Sequence, residues 1–165
     1  HYDIYYRVHS QTYGWLGWAK NGEIAGTTDY GKRIEAFEIR LVEKDGNAPG
    51  TTEKHYVYPQ GVFYQSHVQT YGWEKNWKKN GELSGTSGKA KRLEAVKIRL
   101  TGDLKNKYDI YYRVHSQTYG WLGWAKNGEA AGTEGFAKRL EAIQIVLVEK
   151  AGKAPGNTEK AFAKK

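Results

Sequence analysis

Six tryptophans hold equivalent places in a phrase that the chain states three times. Gln11-Thr12-Tyr13-Gly14-Trp15 recurs as Gln69-Thr70-Tyr71-Gly72-Trp73 and as Gln117-Thr118-Tyr119-Gly120-Trp121. A second Trp follows each phrase, at Trp18, Trp77 and Trp124, and Asn-Gly-Glu begins three residues later, at 21–23, 80–82 and 127–129. The chemistry open to such residues is stacking, in which a flat apolar ring covers a sugar or a base while polar neighbours hydrogen-bond its rim. Trp18, Trp77 and Trp124 are the set expected to do this, because each stands just before a polar Asn-Gly turn. Gln11, Gln69 and Gln117 are expected to contribute amides. Tyr13, Tyr71 and Tyr119, in the loops of the opening phrases, are the alternative aromatic set. The competing expectation is that both tryptophan sets are core, since burial of so large a side chain dominates a small β core.

A polar group recurs beside the aromatics. His9, His67 and His115 share a strand face with the glutamines two residues on. Arg33/Glu35, Arg92/Glu94 and Arg139/Glu141 open a later strand. Such a cluster is either a ligand site or an internal network in which each charge is paired, an unpaired buried charge being costly. The network reading takes precedence, since most buried polar groups satisfy one another. Catalysis finds no motif: there is no His-Glu-x-x-His, no Gly-x-Ser-x-Gly, no phosphate-binding glycine loop before a helix and no Cys. The acids worth nominating recur in triplicate, whereas a catalytic site needs one asymmetric constellation. The five His are scattered without ligand spacing, so neither metal nor cofactor is expected.

The elements that must position these residues read as β. Ile4 to Ser10 is rich in β-branched and aromatic residues. Asn-Gly is the strongest short hairpin signal, because both central residues of a type I′ turn need positive φ. A strand therefore runs in through the second Trp and a short one out through Ile24-Ala25. Gly26-Thr27, Gly85-Thr86 and Gly132-Thr133 end it. A last strand follows over 33–41, 92–100 and 139–148, where Phe37/Ile39/Leu41, Val96/Ile98/Leu100 and Ile143/Ile145/Leu147 keep period two. Trp15 and Trp18 are three apart, hence on opposite faces of an ideal strand; Trp73 and Trp77 are four apart, which reads as a bulge.

Residues 2–23 return unchanged at 108–129, and 43–54 return nearly unchanged at 149–160. Self-similarity at this period implies stacked or radially arranged units. Three repeats are expected, over 1–50, 55–104 and 108–150, with 43–55 and 101–107 as linkers and a tail over 151–165. The fold expected is all-β: one pseudo-threefold domain of three roughly four-stranded antiparallel units. A β-prism is favoured, a β-trefoil is the close alternative, and a linear array is third.

Composition sets the remaining bounds. A net charge of +8 from dispersed lysines suits an anionic partner but marks no basic block. With no Cys there is no disulfide framework, and no apolar run approaches the ~20 residues that would span a bilayer.

The pattern Tyr-x-x-His-x-Gln-x-x-Gly-Trp, a second Trp, Asn-Gly-Glu, Gly-Thr and Arg-Ile/Leu-Glu-Ala resembles the ChW repeats, the clostridial hydrophobic family with a recurring Trp. The resemblance carries over His9, Gln11, Gly14, Trp15, Trp18, Gly22, Gly26 and Glu35 with their counterparts. It implies an extracellular or cell-surface bacterial module that binds carbohydrate, cell envelope or another protein. A non-catalytic module recognising glycans or glycoproteins multivalently is therefore the first functional expectation. A structural or adhesive module binding host or envelope proteins is the second, and nucleic-acid binding the third.

Overall fold

The computed structural model describes residues 1–165. In the first repeat a long strand β1 (Tyr2–Ser10) is followed by β2 (Gly14–Trp15), β3 (Ala19–Lys20), β4 (Gly26–Thr27), β5 (Ile34–Glu43) and β6 (Tyr56–Val57). The second has β7 (Gly61–Val68), β8 (Gly72–Trp73), β9 (Lys78–Lys79), β10 (Leu93–Thr101) and a single helical turn, α1 (Leu104–Lys107). The third runs β11 (Tyr108–Ser116), β12 (Gly120–Trp121), β13 (Ala125–Lys126), β14 (Ala130–Glu134), β15 (Leu140–Glu149) and β16 (Phe162–Lys164). The chain is thus all-β in three repeats, as their β-branched and aromatic runs predict. It divides into two compact units, 1–59 and 60–165, the second holding two repeats.

Each repeat is built on its first long strand. β1 pairs antiparallel with β5 on one edge and with β2 and β3 in succession on the other. β11 does the same with β15, β12 and β13, and β7 with β10, β8 and β9. The predicted bulge lies between the two tryptophans. His9 faces Trp15 and Tyr6 faces Ala19, so three steps along β1 meet four on its partner. In the second repeat His67 faces Trp73 and Tyr64 faces Lys78, so three steps meet five. The extra residue is absorbed in the bulge, and Trp73 and Trp77 keep their spacing to Gly72 and Asn80.

The Asn-Gly turns also form as predicted. Asn21 and Gly22 have φ of 46° and 93°, with matching values at the other two turns. The Glu23 amide closes the turn on the Lys20 carbonyl at 3.0 Å. Asn21 does more than turn. Its Oδ1 accepts from the Ile4 amide and its Nδ2 donates to Asp3, at 2.9 and 2.7 Å, which ties the turn to β1. Lys20, then Asn21, hold the Asp3 carboxyl below the usual carboxylate range. Lys150, Asn127 and Lys126 hold Asp109 well below that range in the third repeat.

Two expectations need correction. The strand leaving the turn does not come back along β3; β4 pairs parallel with β6, and β14 pairs parallel with β16. Residues 43–55 are accordingly no linker. With 56–59 they form a strap that folds back over their own repeat, and 149–165 do the same in the third. In unit 60–165, β14 also pairs antiparallel with β10, giving the order β16-β14-β10-β7. That sheet packs on β11 through a core of Ile98, Leu100, Ile110, Tyr112, Val114, Ala125 and Ala131.

Candidate functional site

The tryptophans expected at the surface are largely inside. Trp18 is 3% exposed and Trp124 6%. Their burial follows from the straps. The Trp18 amide donates to Thr51 at 2.8 Å, the Trp124 amide to Asn157 at 2.9 Å, and Gly50 and Gly156 lie against the two indole rims. Only glycine fits under the strap: a Cβ on Gly17 would sit 2.1 Å from the Glu53 carbonyl oxygen, and one on Gly123 2.0 Å from that of Glu159. Trp77 is half-buried, because after β10 the chain turns directly into α1 and supplies no strap. The exposed-platform reading of Trp18 and Trp124 is therefore wrong.

The surface aromatics are Trp15 and Trp121, the first tryptophans of their pairs, with Tyr13, Tyr71 and Tyr119 of all three repeats. Trp15 and Trp121 are each 42% exposed, and Trp73 is half-buried. Their orientation is set from two sides. His9, His67 and His115 meet them edge-on at 5.4, 5.3 and 5.5 Å between ring centroids. A cation covers one face: the Arg7 guanidinium lies 4.7 Å from the Trp15 ring and 4.9 Å from Trp18, and Arg113 lies 4.9 Å from both Trp121 and Trp124. In the second repeat Gln65 replaces that arginine, and the cations come from the neighbouring strand, Lys97 over Trp73 and Arg99 over Trp77. Glu38, which accepts from Arg7 at 2.7 Å, is correspondingly replaced by Lys97. A cation over an indole is worth ~0.5–1 kcal/mol at an exposed site, enough to orient the ring.

The polar cluster is the internal network. His9, His67 and His115 stand 3.3, 3.2 and 3.2 Å from Glu35, Glu94 and Glu141, and each glutamate takes an arginine (Arg33, Arg92 or Arg139) at 2.9 Å. Gln11, Gln69 and Gln117 are half-buried. Their backbone amides close onto the carbonyls of those arginines at 2.9–3.0 Å, while their side chains make no hydrogen bond.

Tyr13, Tyr71 and Tyr119 are exposed, as expected. Tyr13 leans on Tyr30 and Tyr119 on Phe136, and Lys89 and Lys91 stand over Tyr71. In the second repeat Tyr71 and Trp73 line one open cavity of about 370 Å³ with Glu74, Gly85 and Thr86. Burial raises the Glu74 carboxyl, but donation from the Ser84 hydroxyl and the Gly85 and Ser66 amides outweighs it and holds the group below its usual range. The other repeats have Leu16 and Leu122 at this place.

Sequence reasoning expected the second tryptophan of each pair at the surface; in the first and third repeats it is the first that is exposed, and in the second repeat both are half-buried. One signal pointed the other way. The 43–54 segment recurs at 149–160 with its glycines, as part of a repeat would.

An all-β chain of tandem repeats, each offering one aromatic patch on a braced scaffold, defines a repeat module. The family model described as clostridial hydrophobic W matches residues 9–43, 67–102 and 115–149, most of the chain, and the chain belongs to that family. No curated protein and no solved structure matches it. No helix is long and apolar enough to cross a membrane.

Proposed function

We propose that the chain is a non-catalytic carbohydrate-binding module of the cell surface or extracellular space, with one site per repeat. Tyr13/Trp15, Tyr71/Trp73 and Tyr119/Trp121 are the sugar-facing pairs. The observation that carries this reading is the cavity where Tyr71 and Trp73 meet a carboxylate that stays ionised and accepting. An apolar ring face beside a fixed acceptor matches a pyranose, which presents C–H bonds on one face and hydroxyls at its rim. Single open sites of this kind bind weakly, and repetition raises the avidity. That Glu35, Glu94 and Glu141 each face a histidine and an arginine supports the non-catalytic reading. The extracellular setting rests on the family resemblance.

The test is a glycan array read at two salt concentrations, with isothermal titration of the hits. Trp15→Ala, Trp73→Ala and Trp121→Ala together are expected to abolish binding while the chain keeps its melting temperature within a few degrees. Retained glycan binding in that triple variant overturns the site. Salt-steep binding to oligonucleotides with no glycan selectivity overturns the ligand class in favour of nucleic acid.

A further inference from the structure

Residues 2–23 and 108–129 have one sequence and two environments. Ile110, Tyr112 and Val114 point from β11 into the core formed with β10 and are fully buried. Ile4, at the place of Ile110, is 40% exposed, and Tyr6 is half-buried. The face continues onto β5, because Ile4, Tyr6 and Val8 stand directly opposite Leu41, Ile39 and Phe37. Phe37 and Leu41 are 68% and 67% exposed, and Ile39 is open beside them. Their counterparts in the second repeat, Ile98 and Leu100, are core. An apolar stripe of this kind on one sheet face marks an interaction surface.

The backbone is unfinished at the same place. In the third repeat β14 is held on one edge by β16 and on the other by β10, with Ala131 opposite Val96 and Gly132 opposite Ala95. In the first repeat β4 has β6 on one edge and no strand on the other, and the outer edge of β5 is likewise free. Gly132 has to be glycine, since a Cβ would fall 2.4 Å from the Glu94 carbonyl oxygen. Gly26 keeps nearly the same φ, 128° against 125°, yet its nearest neighbours are side-chain carbons at 3.8 Å. Its backbone keeps the conformation of the glycine that β10 packs against, with side chains of Ile34 and Val8 nearest in place of backbone.

We propose that the occupant is a second copy of this chain. The first repeat packs face to face on the first repeat of its partner, as the third packs on the second, with β4 of each copy closing the free edge of β5 in the other. Ala25 then stands opposite Phe37 of the partner, and Gly26 opposite Ala36. Both halves of the exchange are available, so the contact is self-complementary and closes as a twofold dimer. Within 60–165 the exchange is one-sided, because Glu74 ties down Ser84 and Gly85 and no strand forms there. The first repeat has Leu16 at that place and its β4 already extended.

Sedimentation velocity of the full chain across a wide concentration range tests this. A dimer is expected, converted to monomer by Ile39→Lys and by Gly26→Val but unchanged by Leu147→Lys, an equally exposed apolar position on β15. The chain has no Cys, so register can be read covalently. An Ala25→Cys chain mixed with a Phe37→Cys chain should form an interchain disulfide on oxidation, and neither variant should cross-link by itself. A wild-type chain that stays monomeric throughout overturns the proposal. So does a dimer that Leu147→Lys dissociates as readily as Ile39→Lys, or one whose mixed Cys chains do not cross-link. Circular dichroism on each variant separates lost assembly from lost fold, and the cross-link decides the matter if a lysine variant fails to fold.

Discussion

The first and third repeats carry a strap and the second does not, and the different settings of Trp18, Trp124 and Trp77 follow from that. Under a strap the second tryptophan is core, the residue before it is glycine, and the first tryptophan faces solvent with arginine on one side. Without one, Trp77 is half-buried and exposed Lys75 and Asn76 fill the widened bulge. The cation bracing Trp73 there comes from β10. The unstrapped repeat has an open cavity beside its aromatics. A repeat without its cover keeps its scaffold and changes its surface.

The largest test of this contrast compares equivalent tryptophans. Trp124→Ala should cost ~3–5 kcal/mol, as deletions of large core side chains do, and Trp77→Ala roughly a third of that. Urea unfolding of the full chain, followed by the transition of unit 60–165, gives both values. Equal losses would break the distinction between strapped and unstrapped repeats.

Next in size is the fit of the strap. Gly123→Ala places a methyl group against the Glu159 carbonyl, and the strap must lift or strain at ~1–3 kcal/mol. Hydrogen exchange at the Trp124 amide, which donates to Asn157, should accelerate in that variant and stay slow in wild type. Unaltered exchange would show that the strap yields without detaching.

The acid in the uncovered repeat should respond to pH. Glu74→Leu leaves the Ser66 and Gly85 amides without their acceptor, at ~1–3 kcal/mol. Because the folded carboxyl lies below its ordinary value of 4.5, its contribution is complete above that pH and is lost as pH falls through the folded value. Adding Ser66→Val to Glu74→Leu reproduces the Val8/Leu16 pairing and should flatten this part of the acid dependence. A double variant with an unchanged acid profile would assign that dependence to the other carboxyls held low, Asp3, Glu38, Asp109 and Glu134, instead.

The smallest contrast is expected where the repeats are alike. Gly22→Val, Gly81→Val and Gly128→Val should each cost ~1–3 kcal/mol, since a β-branched residue is strained at positive φ. Similar shifts in thermal midpoint across the three would show that the turn is independent of the strap.

The local features of this fold were legible because their causes are local. Asn-Gly needs positive φ wherever it stands, period-two residues favour a pleated strand, and one added residue between two anchored tryptophans must bulge. The internal repeat itself needed only the sequence. What lay beyond local reasoning was which face of a strand would meet another surface. Alternation placed Trp15 and Trp18 on opposite sides, and only the returning strap decided that Trp18 is inside. Residues 2–23 and 108–129 make the limit plain. Ile4 is open and Tyr6 half-buried where their identical counterparts Ile110 and Tyr112 are core, because burial belongs to the pair of surfaces and the partner surface, β10 with its sheet, is encoded elsewhere in the chain.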